Sequence, residues 1–163
     1  MNNDNRKTKK IMEFLEYLDK TEVEIIKMVE KAGYRTAEDT ELCLLSENYV
    51  GFINKRTKKI IICTGNAKKR EGYTFKRKKN GDAYERTAIH IKKALRHEAV
   101  HVAQECNDGN LLKIDRKLSM NISKIKALNG SIKISGEEEK ERQAYILEDK
   151  PRIIKNELRK YCL

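Results

Sequence analysis

Two histidines four residues apart, His97 and His101, stand in the stretch ALRHEAVHVAQEC (94–106), and Glu98 directly follows the first. On a helix, positions i and i+4 share a face, so both imidazoles can reach a single ion. Zinc suits two imidazoles and a carboxylate, with a fourth position left to water. Glu98 is turned about 100° from His97 on such a helix, so it can contact that water without ligating the metal. Glu98 is therefore the natural general base. Ala94 and Leu95 before the motif, and Ala99, Val100, Val102 and Ala103 within and after it, are apolar. One flank of the helix can be buried while the histidines face a cleft.

A third ligand must come from elsewhere. His90 lies seven residues before His97, about two helical turns away and too far to share the same ion on a straight helix. It reads as a structural or cleft-rim residue. The acidic candidates lie in GEEEKERQAYILED (136–149). Glu137, Glu138 and Glu139 fall in a first helical turn, where the macrodipole favours anions. Glu138 also stands at capping-box spacing from Ser135. Glu141 has no such explanation. It shares a face with Ala144, Tyr145 and Glu148, and the small Ala144 lets this helix come close to the motif helix. Glu141 is the leading third ligand, with Glu148 and Glu138 as the alternatives.

These side chains need elements to position them. Apolar spacing predicts helix over 8–32 in two pieces, ended by Ala32-Gly33. Short strands are expected at 41–46, 49–54, 59–64 and 72–77, joined by turns at KRTK and GNAKK into a small, mostly antiparallel sheet. The motif helix should begin between Ala83 and Ala88 and end at Cys106, before the breaker NDGN. A stripe from Leu111 to Leu128 predicts another helix, stopped by Asn129-Gly130. SIKIS reads as a short strand or loop, and Ser135 opens the helix that carries Glu141. Pro151 sits in the first turn of the last helix. No repeat or linker interrupts residues 1–163, which read as one domain.

ALRHEAVHVAQ, followed forty residues later by ERQAYILE, resembles the gluzincin pattern of an HExxH helix and an ExxA-type helix supplying Glu. It is similar to the small stand-alone metalloprotease domains of zincin type encoded by phages and bacteria, and the resemblance spans residues 88–149. It implies a zincin-like α+β fold with N-terminal helices, an HExxH helix and C-terminal helices supplying the third ligand. It also implies one Zn2+ per chain on His97, His101 and Glu141, with Glu98 as base. The function implied is zinc-dependent hydrolysis of a protein or peptide substrate, and a virus-encoded origin fits the same resemblance. Several such families have Asp after the ExxA alanine. This chain has Tyr145, a candidate oxyanion donor or a packing residue.

Composition supplies a rival from another class. The net charge is +11, and residues 55–79 hold eleven Lys or Arg against one acid, Glu71. Such a segment is a solvated surface or an electrostatic footprint for nucleic acid or an acidic partner. The alternative function is a non-catalytic zincin-fold module docking on nucleic acid or a virion-type assembly through 55–79. With no signal peptide and no apolar run able to span a bilayer, the expectation is a cytoplasmic protein without a membrane partner. Cys43, Cys63, Cys106 and Cys162 lack zinc-knuckle spacing and are expected as free, partly buried thiols. If the last helix folds back over the motif helix, Cys106 and Cys162 come close, and a disulfide between them is the alternative to free thiols.

Overall fold

The computed structural model describes residues 11–72, 81–114 and 118–163. In chain order these form a 3-10 helix (Glu13–Tyr17), α1 (Lys20–Lys31), β1 (Arg35–Glu38) and a second 3-10 helix (Glu41–Leu44). Then come β2 (Gly51–Asn54), β3 (Lys59–Ile62), α2 (Thr64–Arg70), α3 (Asp82–Cys106), α4 (Ile122–Ser135), α5 (Glu138–Leu147) and α6 (Pro151–Cys162). The architecture is α+β.

No Gly or Pro interrupts α3, and its apolar positions recur at helical spacing. Ile91, Leu95, Ala99, Val102 and Ala103 are buried in a core shared with Ile25 and Val29 of α1 and with Ile154 and Leu158 of α6. Burial of each large aliphatic side chain contributes roughly 1.5–3 kcal/mol. That face locks the helix, and the opposite flank carries His97 and His101. Arg96, next to His97, donates from Nε to the fully buried Glu22 of α1 at 2.8 Å, fixing the helix's rotation against α1.

β3 is the central strand, parallel to β1 and antiparallel to β2. Its side chains alternate: Ile60 and Ile62 enter the main core, while Ile61 packs with Cys43 and Cys63 on the other face. β2 is left at the sheet's edge, against the motif helix.

Several expectations are corrected. The sheet is mixed, and β1 has no counterpart among the expected strands. Residues 41–44 form a 3-10 helix in which Cys43 is buried, Leu42 packs half-buried against the same cluster, and Leu44 and the following Leu45 are exposed. GNAKK lies in helix α2, whose Asn66 donates to the carbonyls of Cys43, Ser46 and Tyr49 and so ties down the preceding loop. The helix expected over 111–128 starts at Ile122, capped by the Asn121 side chain, and runs through Asn129-Gly130 and SIKIS. It ends instead at Gly136, whose φ of 68° is one that favours glycine. The Ser135–Glu138 capping box does not form; Ser135 Oγ accepts from the Glu137 amide. The strand expected at 72–77 lies largely outside the described residues.

The cysteines are corrected as well. α6 does fold back along α3, which brings the Cα atoms of Cys106 and Cys162 to 5.2 Å, and the pair is disulfide-bonded. Cys43 and Cys63, 5.6 Å apart at Cα, form a second disulfide. No thiol is free. No helix among the described residues is long and apolar enough to cross a membrane.

Candidate metal centre

α3 presents His97 and His101 one turn apart, and α5 packs across them with Ala144 fully buried at the crossing. That close approach brings Glu141 between the two rings. Its Oε2 lies 3.1 Å from His97 Nε2 and its Oε1 lies 3.3 Å from His101 Nε2. The three side chains are buried, and one ligand atom from each lies within 4.8 Å of the others.

The opposite ring nitrogens are also held. His97 Nδ1 faces Glu148 Oε2 at 3.2 Å, and His101 Nδ1 faces Gln104 Oε1 at 2.8 Å. Gln104 donates from Nε2 to Gln143 Oε1 at 3.0 Å and to the Lys140 carbonyl at 3.2 Å. Gln143 in turn accepts from the Leu112 amide and donates to the Leu112 carbonyl. This chain is consistent only if Gln104 presents its carbonyl oxygen to His101, so His101 Nδ1 carries the proton and Nε2 presents its lone pair. Such outer partners orient histidine ligands and raise their basicity.

The donor set fits zinc. Two imidazole Nε2 atoms and a carboxylate converge, and tetrahedral ligands about 2 Å from an ion stand roughly 3.3 Å apart. Without an ion the same contacts close as ion pairs. Burial opposes charge on His97, yet Glu141, Glu148 and Glu98 outweigh it and push its pKa up to about 10. Burial likewise opposes charge on Glu141, but His101 and His97 hold it well below the usual carboxylate range.

Glu98 is turned towards β2, is only 5% exposed, and lines a cavity of about 600 Å³. Among the described residues its carboxylate has no hydrogen-bond partner. Burial raises its pKa, against the pull of His97 and His101. Gly51 makes room for it: a Cβ there would stand 3.1 Å from Glu98 Oε1 and 3.1 Å from the Ala94 Cβ. Nothing in the sequence pattern singled out Gly51, Gln104 or Gln143.

The other candidates separate. Glu138 pairs with Arg142 at the surface. Glu148 reaches only the far side of His97. Tyr145 packs edge-on against His97 with ring centroids 4.4 Å apart, and its hydroxyl lies 2.6 Å from Ser131 Oγ. Burial pushes that hydroxyl's pKa up to about 12. His90 lines the cavity and pairs with Glu71 at 2.7 Å, as a rim residue should.

An α+β fold of six described helices around a small mixed sheet, with a buried His/His/Glu group beside a cavity, is the class these features define. The chain belongs to the family described as Domain of unknown function (DUF8637), whose model matches residues 14–163. Comparison with curated proteins finds no match, and neither does comparison with solved structures.

Proposed function

We propose that the protein is a zinc-dependent metallopeptidase of zincin-like fold, with one zinc held by His97, His101 and Glu141. The observation that carries this reading is Glu98, a buried carboxylate with no partner among the described residues, beside that three-ligand group. A purely structural zinc site has no use for a free base. Zinc bound there supplies Lewis acidity towards a substrate carbonyl and water.

Glu98 accepts a proton from the attacking water as its oxygen bonds to the carbonyl carbon. It then delivers the proton to the amide nitrogen as the C–N bond breaks. Glu148 and Gln104 hold the imidazoles in the ligating orientation. Tyr145 is the candidate donor to the developing oxyanion. β2 lines the same cavity as an edge strand, so its row of backbone groups away from β3 suits an extended peptide.

In the described part of the basic segment, Lys55, Lys68 and Lys69 are met by carboxylates, while the exposed Arg56, Lys58, Lys59 and Arg70 meet none among the described residues. Lys55 pairs with Glu105 and Glu137, Lys69 with Glu47, and the nearly buried Lys68 with Glu13. Tyr73, Phe75 and residues 76–79 lie outside the described residues. The test is cleavage of a peptide library by the zinc-loaded protein, with and without chelator, beside E98Q. Chelator-sensitive cleavage absent from E98Q supports the proposal. Cleavage that survives chelation, or E98Q cleaving like wild type, refutes it.

A further inference from the structure

The charges lining the cavity divide by depth. Its acids, Glu98, Glu141 and Glu148, all belong to the buried group on the floor. Apart from His97 and His101, its cationic or imidazole lining residues are Arg70, His90, Lys93 and Lys126. His90 is matched by Glu71 at 2.7 Å, and Lys93 meets Asp149 at 3.5 Å. Among the described residues, neither of the remaining two meets a carboxylate. Arg70 donates only to the Asn48 carbonyl, at 3.3 Å, and Lys126 has no partner among the described residues.

These two cations stand on different walls. Arg70 closes α2 and reaches the loop that leads into β2. Lys126 lies on α4, on the helical stripe that lines the cavity with Ser123, Ala127 and Gly130. Gly51, Phe52 and Ile53 of β2 line the same cavity as these two cations. Unneutralised cations on a concave surface focus the field and favour anionic ligands, and a net charge of +11 adds long-range attraction.

Resting on the peptidase reading, we propose that the substrate is an acidic peptide, with Asp or Glu side chains flanking the scissile bond and meeting Arg70 and Lys126. The arrangement selects against basic flanks by like-charge repulsion and leaves neutral ones unassisted. Because both cations are solvent-accessible, the preference is modest and weakens as salt screens it over about 8–10 Å.

The experiment uses full-length, zinc-loaded protein and two peptide pools of identical apolar content, one bearing Asp and Glu, the other Asn and Gln. Cleavage is followed by mass spectrometry at low and at high salt. The acidic pool should show a kcat/KM higher by about three- to tenfold at low salt. That ratio should shrink at high salt, and the two rates should converge in R70S/K126S. Equal or faster cleavage of the neutral pool by wild type overturns the acidic preference and leaves the peptidase standing. A preference that persists unchanged in R70S/K126S overturns the assignment to these two residues. Cleavage of neither pool overturns the peptidase reading, and the substrate class with it.

Discussion

Glu148 Oε2 sits 3.2 Å from His97 Nδ1, on the side of the ring away from Glu141. One carboxylate can therefore serve as ligand while the other holds the imidazole in place. The two should separate on mutation. E148A should weaken zinc binding by about 10–100-fold. E141A removes a ligand and should weaken it well beyond that. Zinc titration of both variants decides; a larger loss in E148A would exchange their roles.

The same cluster makes zinc binding depend on pH. In the metal-free protein His97 has a pKa raised to about 10, against burial, by Glu141, Glu148 and Glu98, so near neutral pH it holds a proton that zinc must displace. Affinity should climb about tenfold for each pH unit between about 6 and 8, one proton leaving per ion. Metal-free stability should run the other way. The folded pKa lies above the unfolded value of about 6.5, so that contribution is whole below 6.5 and fades as pH rises towards 10. Titrations at three pH values and metal-free melts at two check both signs. A flat affinity profile contradicts the assignment.

Gly51 should matter through Glu98. In G51A the new methyl would stand 3.1 Å from both Glu98 Oε1 and the Ala94 Cβ, and the latter cannot swing away. The expected result is a loss of about 1–3 kcal/mol in stability. Peptide cleavage should fall further than that, and zinc should still bind. Wild-type activity in G51A would show that Glu98 need not keep its observed position.

The Cys106–Cys162 bond closes a segment of 56 residues that contains Glu141, Tyr145 and Glu148. C106S/C162S should lower stability by about 2–4 kcal/mol. Reductant opens both bonds in wild type and should lower stability by more than that, the smaller extra share coming from Cys43–Cys63. Melting curves with and without reductant test it, and unchanged curves refute it.

What the sequence made legible follows from how local each cause is. Helical spacing with no breaker placed α3 and its histidines, and Pro151 placed the start of α6. Asn129-Gly130 misled because a tertiary contact overrides its local preference. Inside α4 the Gly130 carbonyl also accepts the Tyr49 hydroxyl at 2.7 Å, from a residue 81 positions away. The run 41–46 looked like a strand by composition, yet it lacks alternation, burying Cys43 with Leu42 beside it and leaving Leu44 and Leu45 exposed. Glu141 stood apart in the sequence as an acid beyond the expected first turn. α5 in fact starts at Glu138 and puts Glu141 in that turn, and what distinguishes it is its contact with both imidazoles. Gln104, Gln143 and Gly51 act only through neighbours brought in by folding, and no single-sequence period encodes them. The Cys43–Cys63 disulfide was missed for the same reason, and Cys106–Cys162 was legible only as an alternative: 20 and 56 residues separate the partners, and only the β3–α2 corner and the docked α6 bring them together.

Zinc stoichiometry tests the central claim most directly. Metal-free wild-type protein, titrated with zinc, should bind one ion per chain tightly. E98Q should bind it equally well, while H97A, H101A and E141A should each lose most of the affinity. A wild-type chain that takes up no zinc, or an H97A/H101A chain that binds it as well as wild type, contradicts the assignment of this site as a zinc centre.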